Sequence, residues 1–447
     1  MHHLAVACAL LPSLTAQVMW TPLSPTTSPP QRTEVQMQDV GSGLLLFAGL
    51  DGSSATAYND LWSFDGTNWS LQVPTGASPP PRARFAAAFD PARQRYVIFG
   101  GDAQYSVGGA LGDTWEWDLA TSTWLQMTPA TQPAARIHSR MAFDLISGSI
   151  LMFGGRGAVG AETWSWDGVD WTMRTPNTVP PAREQPNLAT NWSTAEIVMF
   201  GGSTGAASGV LGDTWTWNGF DWTQQTTATS PGLGGIRNGK MSHDRLRNRM
   251  VVFGGVRASG GFSASAWEYD GVDWTERLPT PTPQGRAGAG FCYVESMATN
   301  VLFGGYNGGF FADTWTYQTN APASSMSSGA GCATAVGNPI LTVQPLPWLG
   351  ETIIWSVANL PATAIPLLVI GVNNPALNLA ILNAPNCTLF ASPDVLLLAL
   401  APNALPIPVN LSLLGYELHS QAVAIEPLPI GFDLALSDGN TMTIGAR

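Results

Sequence analysis

The triplet Phe-Gly-Gly returns through the first two thirds of this 447-residue chain. It begins at Phe99, Phe153, Phe200, Phe253 and Phe303, after a degenerate copy, Phe47-Ala48-Gly49. The spacing stays between 47 and 54 residues. A repeat of that length rules out one undivided core. Each unit must be a small supersecondary element that buries its apolar faces against its neighbours. Every copy ends an apolar run: LLLF, YVIF, ILMF, IVMF, MVVF and NVLF. A short run without polar alternation reads as a strand buried on both faces. The glycines then allow a sharp turn where backbones come close.

About a dozen residues later comes a second motif: Asp60-Leu61-Trp62, Asp113-Thr114-Trp115, Glu162-Thr163-Trp164, Asp213-Thr214-Trp215, Ala266-Trp267 and Asp313-Thr314-Trp315. Another aromatic lies two positions on (Phe64, Trp117, Trp166, Trp217, Tyr269, Tyr317). Period two puts both rings on one side of a strand. Asp65-Gly66, Asp167-Gly168, Asn218-Gly219 and Asp270-Gly271 follow, the strongest short signal for a hairpin turn. A third Trp comes next (Trp69, Trp124, Trp171, Trp222, Trp274), then a Pro-rich connector. The connector leads to an Arg: Arg82 or Arg84, Arg136, Arg183, Arg237, Arg286. Each unit therefore holds four strands.

The ordered set of Arg, Phe-Gly-Gly, Asp-Thr-Trp and a later Trp resembles the kelch repeat, over residues 18–318. Kelch repeats build β-propellers with one four-stranded sheet per blade, so the resemblance implies an all-β, six-bladed kelch-type propeller. The sixth unit lacks a third Trp. Trp20-Thr21-Pro22, running on to Pro29-Pro30-Gln31-Arg32, has the missing form. The N-terminal strand is therefore expected to close the last blade. Composition fits. Charged residues are 11% of the chain, against about 25% in an average soluble domain. The 48 Gly, 34 Pro and 18 Trp suit many turns and aromatic wedges.

The remaining sequence divides into 1–17, a secretory signal; 319–331, a small polar linker; and 332–447, a small β-sandwich domain. Leu4 to Leu14 has the length of a signal's apolar segment, although His2 and His3 stand where Lys or Arg is usual. The alternative is a cytosolic start with an apolar strand. Export would allow Cys332 and Cys387 to form a disulfide; Cys292 reads as a buried free thiol. Short apolar runs between Pro, Asn and Gly give 332–447 a sandwich texture. Its ends resemble an appended C-terminal β domain of secreted bacterial proteins. No apolar run reaches the ~20 residues of a membrane helix.

Net charge is −12 and the arginines are scattered singly, which argues against nucleic acid. Kelch propellers include galactose-oxidase-like copper enzymes, whose site needs a tyrosine–cysteine cross-link and histidine-type ligands. Only His138 and His243 stand in the propeller, so neither metal nor cofactor is expected, and no catalytic residue is assigned. The hairpins resemble sialidase Asp-boxes superficially, but Asp and Gly are adjacent in them. The paired acids Asp167/Asp170 and Asp270/Asp273 read as turn chemistry rather than a calcium site. The best binding candidates are Arg32, Arg82, Arg136, Arg183, Arg237 and Arg286. One Arg per blade reads either as a ring at a channel mouth, suited to carboxylates, or as a set of internal ion pairs. The expected function is that of a secreted, non-catalytic module binding an extracellular glycan or protein. The rivals are a carbohydrate-active enzyme working at the channel mouth and a structural envelope component.

Overall fold

The computed structural model describes residues 17–51, 56–103, 109–156, 160–205 and 209–320, together with the C-terminal strands named below. The amino-terminal segment read as a signal, Cys332 and Cys387 lie outside the described residues. The described part divides into a unit holding Met19–Gln318 and a second one that takes Thr319–Arg447 and the residues up to Val18.

The first unit is a β-propeller of six antiparallel sheets, almost without helix. In the third blade the strands run from channel to rim as Arg140–Asp144, Ser149–Phe153, Thr163–Trp166 and Trp171–Arg174. The other inner strands are Gln36–Asp39, Ala86–Asp90, Asn187–Asn191, Lys240–Asp244 and Gly290–Val294, and each packs beside the next around a ring. The sixth blade is built from both ends of the repeat region. Gly290–Val294, Thr299–Phe303 and Thr314–Asn320 are completed at the rim by Gln17–Leu23.

The aromatic positions join the blades. Within a blade the second aromatic of the middle motif stands opposite the third Trp, as in Trp166↔Trp171 and Trp217↔Trp222. Between blades, the Phe of each Phe-Gly-Gly packs on the third Trp of the following blade. The pairs are Phe47–Trp124, Phe99–Trp171, Phe153–Trp222, Phe200–Trp274, Phe253–Trp20 and Phe303–Trp69, with ring centroids 4.6–5.2 Å apart. Trp20 thus fills the slot of the third Trp in the sixth blade. All six of these tryptophans are at most 5% exposed. Burying rings of this size supplies much of the interblade cohesion.

The same tryptophans carry a donor that must be satisfied once buried. Trp171 Nε1 donates to Thr114 Oγ1, Trp222 to Thr163, Trp274 to Thr214 and Trp69 to Thr314, at 2.9–3.1 Å. Each acceptor is the Thr of Asp-Thr-Trp, or of Glu162-Thr163-Trp164, in the preceding blade. Two blades depart from the motif, carrying Leu61 and Ala266 there. The two indoles they would serve, Trp124 Nε1 and Trp20 Nε1, are the ones left without a partner.

The turns have similar bookkeeping. Asp167 Oδ1 accepts from the backbone N–H of Val169 and Asp170 at 2.8 Å. Asp170 then accepts from Thr131 N in the neighbouring connector at 2.8 Å. Asp221 and Asp273 do the same with Thr178 and Thr229. The spaced acids therefore fasten hairpin to connector.

Beyond the propeller, a six-stranded sheet runs Ser324–Ser328, Gly439–Thr443, Glu417–Pro427, Ile365–Gly371, Val395–Leu398, with Phe432–Leu436 also on Glu417–Pro427. A three-stranded sheet holds Ile340–Gln344, Thr352–Ala358 and Asn403–Pro406. The stretch read as a linker thus contains a strand, Ser324–Ser328. Its small polar residues gave no apolar signal, and at a sheet edge backbone pairing alone suffices.

The unpartnered indoles lead to a prediction. Ala266→Thr should give Trp20 Nε1 the hydroxyl that four blades already have, and stabilise the propeller by about 1 kcal/mol. Urea unfolding of the full chain measures it; a midpoint unchanged or lowered would contradict the assignment.

Candidate functional site

Five of the six candidate arginines, Arg32, Arg82, Arg136, Arg183 and Arg286, are at most 1% exposed. Arg32, Arg82, Arg183 and Arg286 grip both oxygens of Asp60, Asp113, Asp213 and Asp313 at 2.5–3.0 Å. Arg136 donates to Glu162 Oε2 at 2.7 Å. Each acid is the first residue of the middle motif, and each also accepts from the Trp two positions on, at 2.7–2.8 Å. A second guanidinium donor goes to the residue after Phe in the Phe-Gly-Gly turn, as from Arg82 to Gly100 O at 2.9 Å. The main chain extends the joint. Arg136 N donates to Leu111 O of the blade before, and Gly101 N of that blade donates to Arg136 O, at 3.1 and 3.0 Å. A Cβ on Gly100 would stand 2.6 Å from Arg136 O, so the turn needs glycine.

The arginines are therefore not an open ring at the channel mouth. Burial and ion pairing within the blade commit five of these side chains to the frame, and their main chain bonds the preceding blade. Burial pushes the carboxyls of Asp113 and Asp213 up, but their Arg partners and the Trp donors pull both below the usual range. Arg237 departs from the set. Ile236 holds the arginine slot of the fifth blade, since Gly202 N donates to Ile236 O. Arg237 is half-buried and donates to Gln185 Oε1 at 3.0 Å. The acid position of that blade is Ser265, so the fifth blade lacks both partners together. Arg84, the alternative to Arg82, pairs with Asp102 through its Nε at 2.9 Å.

Just inside the arginines the channel narrows. Glu34, Arg84, His138, Gln185, Asn238 and Gly288 all adopt left-handed backbone, with φ from 55° to 65°. The N–H of one donates to the carbonyl of the one in the preceding blade. Glu34 to Gly288, His138 to Arg84, Gln185 to His138, Asn238 to Gln185 and Gly288 to Asn238 span 2.7–3.1 Å. Five bonds thus link the six residues into a belt of backbone around the channel.

The opposite end is open. A cavity of about 560 Å³ is lined by the ends of the inner strands and their turns, with residues from all six blades. Half-buried Trp192 dominates its wall. The Arg245 guanidinium lies 4.0 Å from the Trp192 ring centre, and Phe143 stacks beside it with 13° between planes. Arg245 also pairs with Glu295 at 3.0 Å. Below them, His243 Nδ1 accepts from Trp192 N at 3.0 Å, and Nε2 lies 3.0 Å from Asn248 Oδ1. That arrangement suits the neutral ring with its proton on Nε2. Burial, reinforced by Arg245, pushes His243 down to about 4 against the opposing Asn248 bond. Cys292, on the same wall, is a free thiol pushed up by burial to about 12. Among the described residues there is no group of three or more His, Cys, Asp or Glu placed to hold a metal. Repeat logic does not mark this site. Its one signal was Trp192, the single Trp before residue 318 outside the repeated positions.

Residues 11–155 match the KLHDC2/KLHL20/DRC7 Kelch-repeats domain. Over 127 residues, 28% of this chain, the sequence is 35% identical to Dynein regulatory complex subunit 7 of Chlamydomonas reinhardtii. That match covers 11% of the relative's length. The matched residues fall on the first blades of the propeller, and the six-bladed fold agrees with the kelch-repeat match. No helix among the described residues is long and apolar enough to cross a membrane.

Two predictions follow from this geometry. Arg82→Ile should cost about 3–5 kcal/mol, because it leaves Asp113 without its partner in a buried joint. Adding Asp113→Ser reproduces the fifth blade and should recover about 0.5–3 kcal/mol relative to the sum of the single changes. A double-mutant cycle by urea unfolding reads this directly; strictly additive costs would refute the coupling. The second concerns His243. Its folded value lies below the ordinary histidine value of 6.5, so the unfolded chain takes up the proton first as pH falls. Its contribution is complete above about 6.5 and declines toward about 4, by roughly 3 kcal/mol in all. His243→Asn should flatten stability against pH in that window; an unchanged slope would count against the assignment.

Proposed function

We propose that this chain is a non-catalytic interaction module that binds a protein segment in the open mouth of the propeller channel. The observation carrying the reading is the Trp192–Arg245–Phe143 cluster on the wall of a cavity shared by all six blades. A partly exposed Trp and Arg in a concave site of mixed polar and apolar lining are the usual anchors of protein recognition. The arginine forks, by contrast, are consumed in the frame. The glycan reading is weaker, because the Arg245 guanidinium lies over the Trp192 ring that a sugar would stack on. The reading also places the chain outside the cytoplasm, from the Leu4–Leu14 segment, with a Cys332–Cys387 disulfide and the C-terminal strands as a β-sandwich. In support of the sandwich, Trp355 Nε1 on the three-stranded sheet donates to Ser420 Oγ on the six-stranded one at 3.0 Å.

The test is selection of a displayed random-peptide library on the full chain, in parallel with a glycan screen read by mass. Enriched peptides should bind the Trp192→Ala variant at least about tenfold more weakly, with the melting curve unchanged. Peptides indifferent to that change would place binding elsewhere. Glycan binding without peptide binding would overturn the protein reading, and glycan turnover would overturn the non-catalytic one.

A further inference from the structure

The chain contains one lysine, Lys240, and the propeller buries it in its channel. We propose that the layer between the backbone belt and the open mouth binds one small monovalent anion, of the halide class, between Lys240 and Arg140.

Both side chains line the same cavity, of about 30 Å³. Lys240 is 8% and Arg140 5% exposed. Lys240 Nζ donates to Gln36 Oε1 at 2.9 Å, one of three possible donations. Arg140 reaches Ser139 O and Asn238 Oδ1 at 3.2 Å, and its Nε has no partner. Neither cation forms an ion pair among the described residues. The surrounding charges do not balance them. Arg84 pairs with Asp102, and Arg156 with Glu184. His138 lies 3.5 Å from Glu184 and 3.2 Å from Gln185. That leaves Glu34, which reaches Arg140 only through Asn238, whose Nδ2 donates to Glu34 Oε1 at 2.6 Å. Two buried cations thus face one carboxylate.

An uncompensated buried cation is costly. Such a group sheds its proton or acquires a counter-ion. Burial and the neighbouring guanidinium push the Lys240 ammonium well below its ordinary range, which is the first response. An anion supplies the second. It would accept from Arg140 Nε and from the free donors of Lys240, and it restores the balance of charge. A cavity of this size admits a single water-sized occupant, which limits the ligand to a small ion. Met37, Met141, Leu188, Met241 and Phe291 wall both this cavity and the larger one, so the open mouth is the route in. Asn187 Oδ1 is also unpartnered on the wall. A water molecule satisfies it and a halide does not, so the test must separate the two.

Crystals of the full chain grown with bromide replacing chloride should show an anomalous peak between Arg140 and Lys240. An ordered water without anomalous signal would overturn the proposal. In solution, the melting temperature in sodium chloride should exceed that in sodium gluconate at equal ionic strength. The expected difference is about 2–4 °C with chloride at roughly ten times its dissociation constant. Lys240→Met should abolish the difference, which separates a bound ion from a general salt effect. A salt difference retained in Lys240→Met, or absent from the natural chain, would also overturn it. Should that variant fail to fold, the bromide experiment on the natural chain decides alone.

Discussion

The propeller depends on one buried interaction repeated around the ring, the fork of an arginine on the first acid of the next motif in its own blade. Arg82 and Asp113 show its reach. The guanidinium fixes the acid and the Phe-Gly-Gly turn, and the acid fixes the indole of Trp115. Elsewhere in the ring the arginine backbone exchanges hydrogen bonds with the preceding blade, as Arg136 does with Leu111 and Gly101. A buried ion pair is often no better than an apolar substitute, but removing one partner is severe. The fifth blade illustrates both halves of that rule. It carries Ile236 and Ser265, an apolar and a neutral residue in place of the pair, and the ring still runs through it.

Much of this frame was legible in the sequence because periodic residues carry periodic loads. The Phe of Phe-Gly-Gly, the Thr of Asp-Thr-Trp and the third Trp recur because each has a fixed partner one blade away, and the Trp of that motif recurs because it donates to the acid two positions before it. The exceptions are informative for the same reason. Leu61 and Ala266 break the motif, and the cost appears one blade on, at Trp124 and Trp20. The arginines were legible as a set and misread in direction. A one-dimensional pattern reports that a position recurs, not whether its side chain faces solvent or a carboxylate in the same sheet. Arg237 misled further, because it sits one residue beyond its slot. Ile236 took that slot without leaving a charge to count.

The binding mouth was illegible for the opposite reason. Its residues differ from blade to blade: Asp39, Phe89, Phe143, Thr190, His243 and Tyr293 hold matching positions of the six inner strands, and only the two Phe are alike. A site whose residues change from blade to blade leaves no period. The low fraction of charged residues hid a second fact. Many of the charges the chain retains are inside it. Arg247 bridges Asp244 and Glu268, and Glu268 also accepts from Tyr317 of the next blade. Low charge here reflects how few ionic joints a ring of sheets requires.

The two ends of the channel divide the labour. At one end, five backbone hydrogen bonds link six left-handed residues around the channel, beside the arginine joints. A ligand there would compete with the contacts that hold adjacent blades. At the other end the walls are side chains of the inner strands and their turns. Trp192 is held by a neutral His243 from the next blade, so the recognition surface spans a blade junction instead of lying on one blade. Such a surface exists only when the ring is closed. It follows that the frame and the site cannot vary independently. A loose joint between the fourth and fifth blades, where Ile236 already replaces the arginine, would be felt first at Trp192.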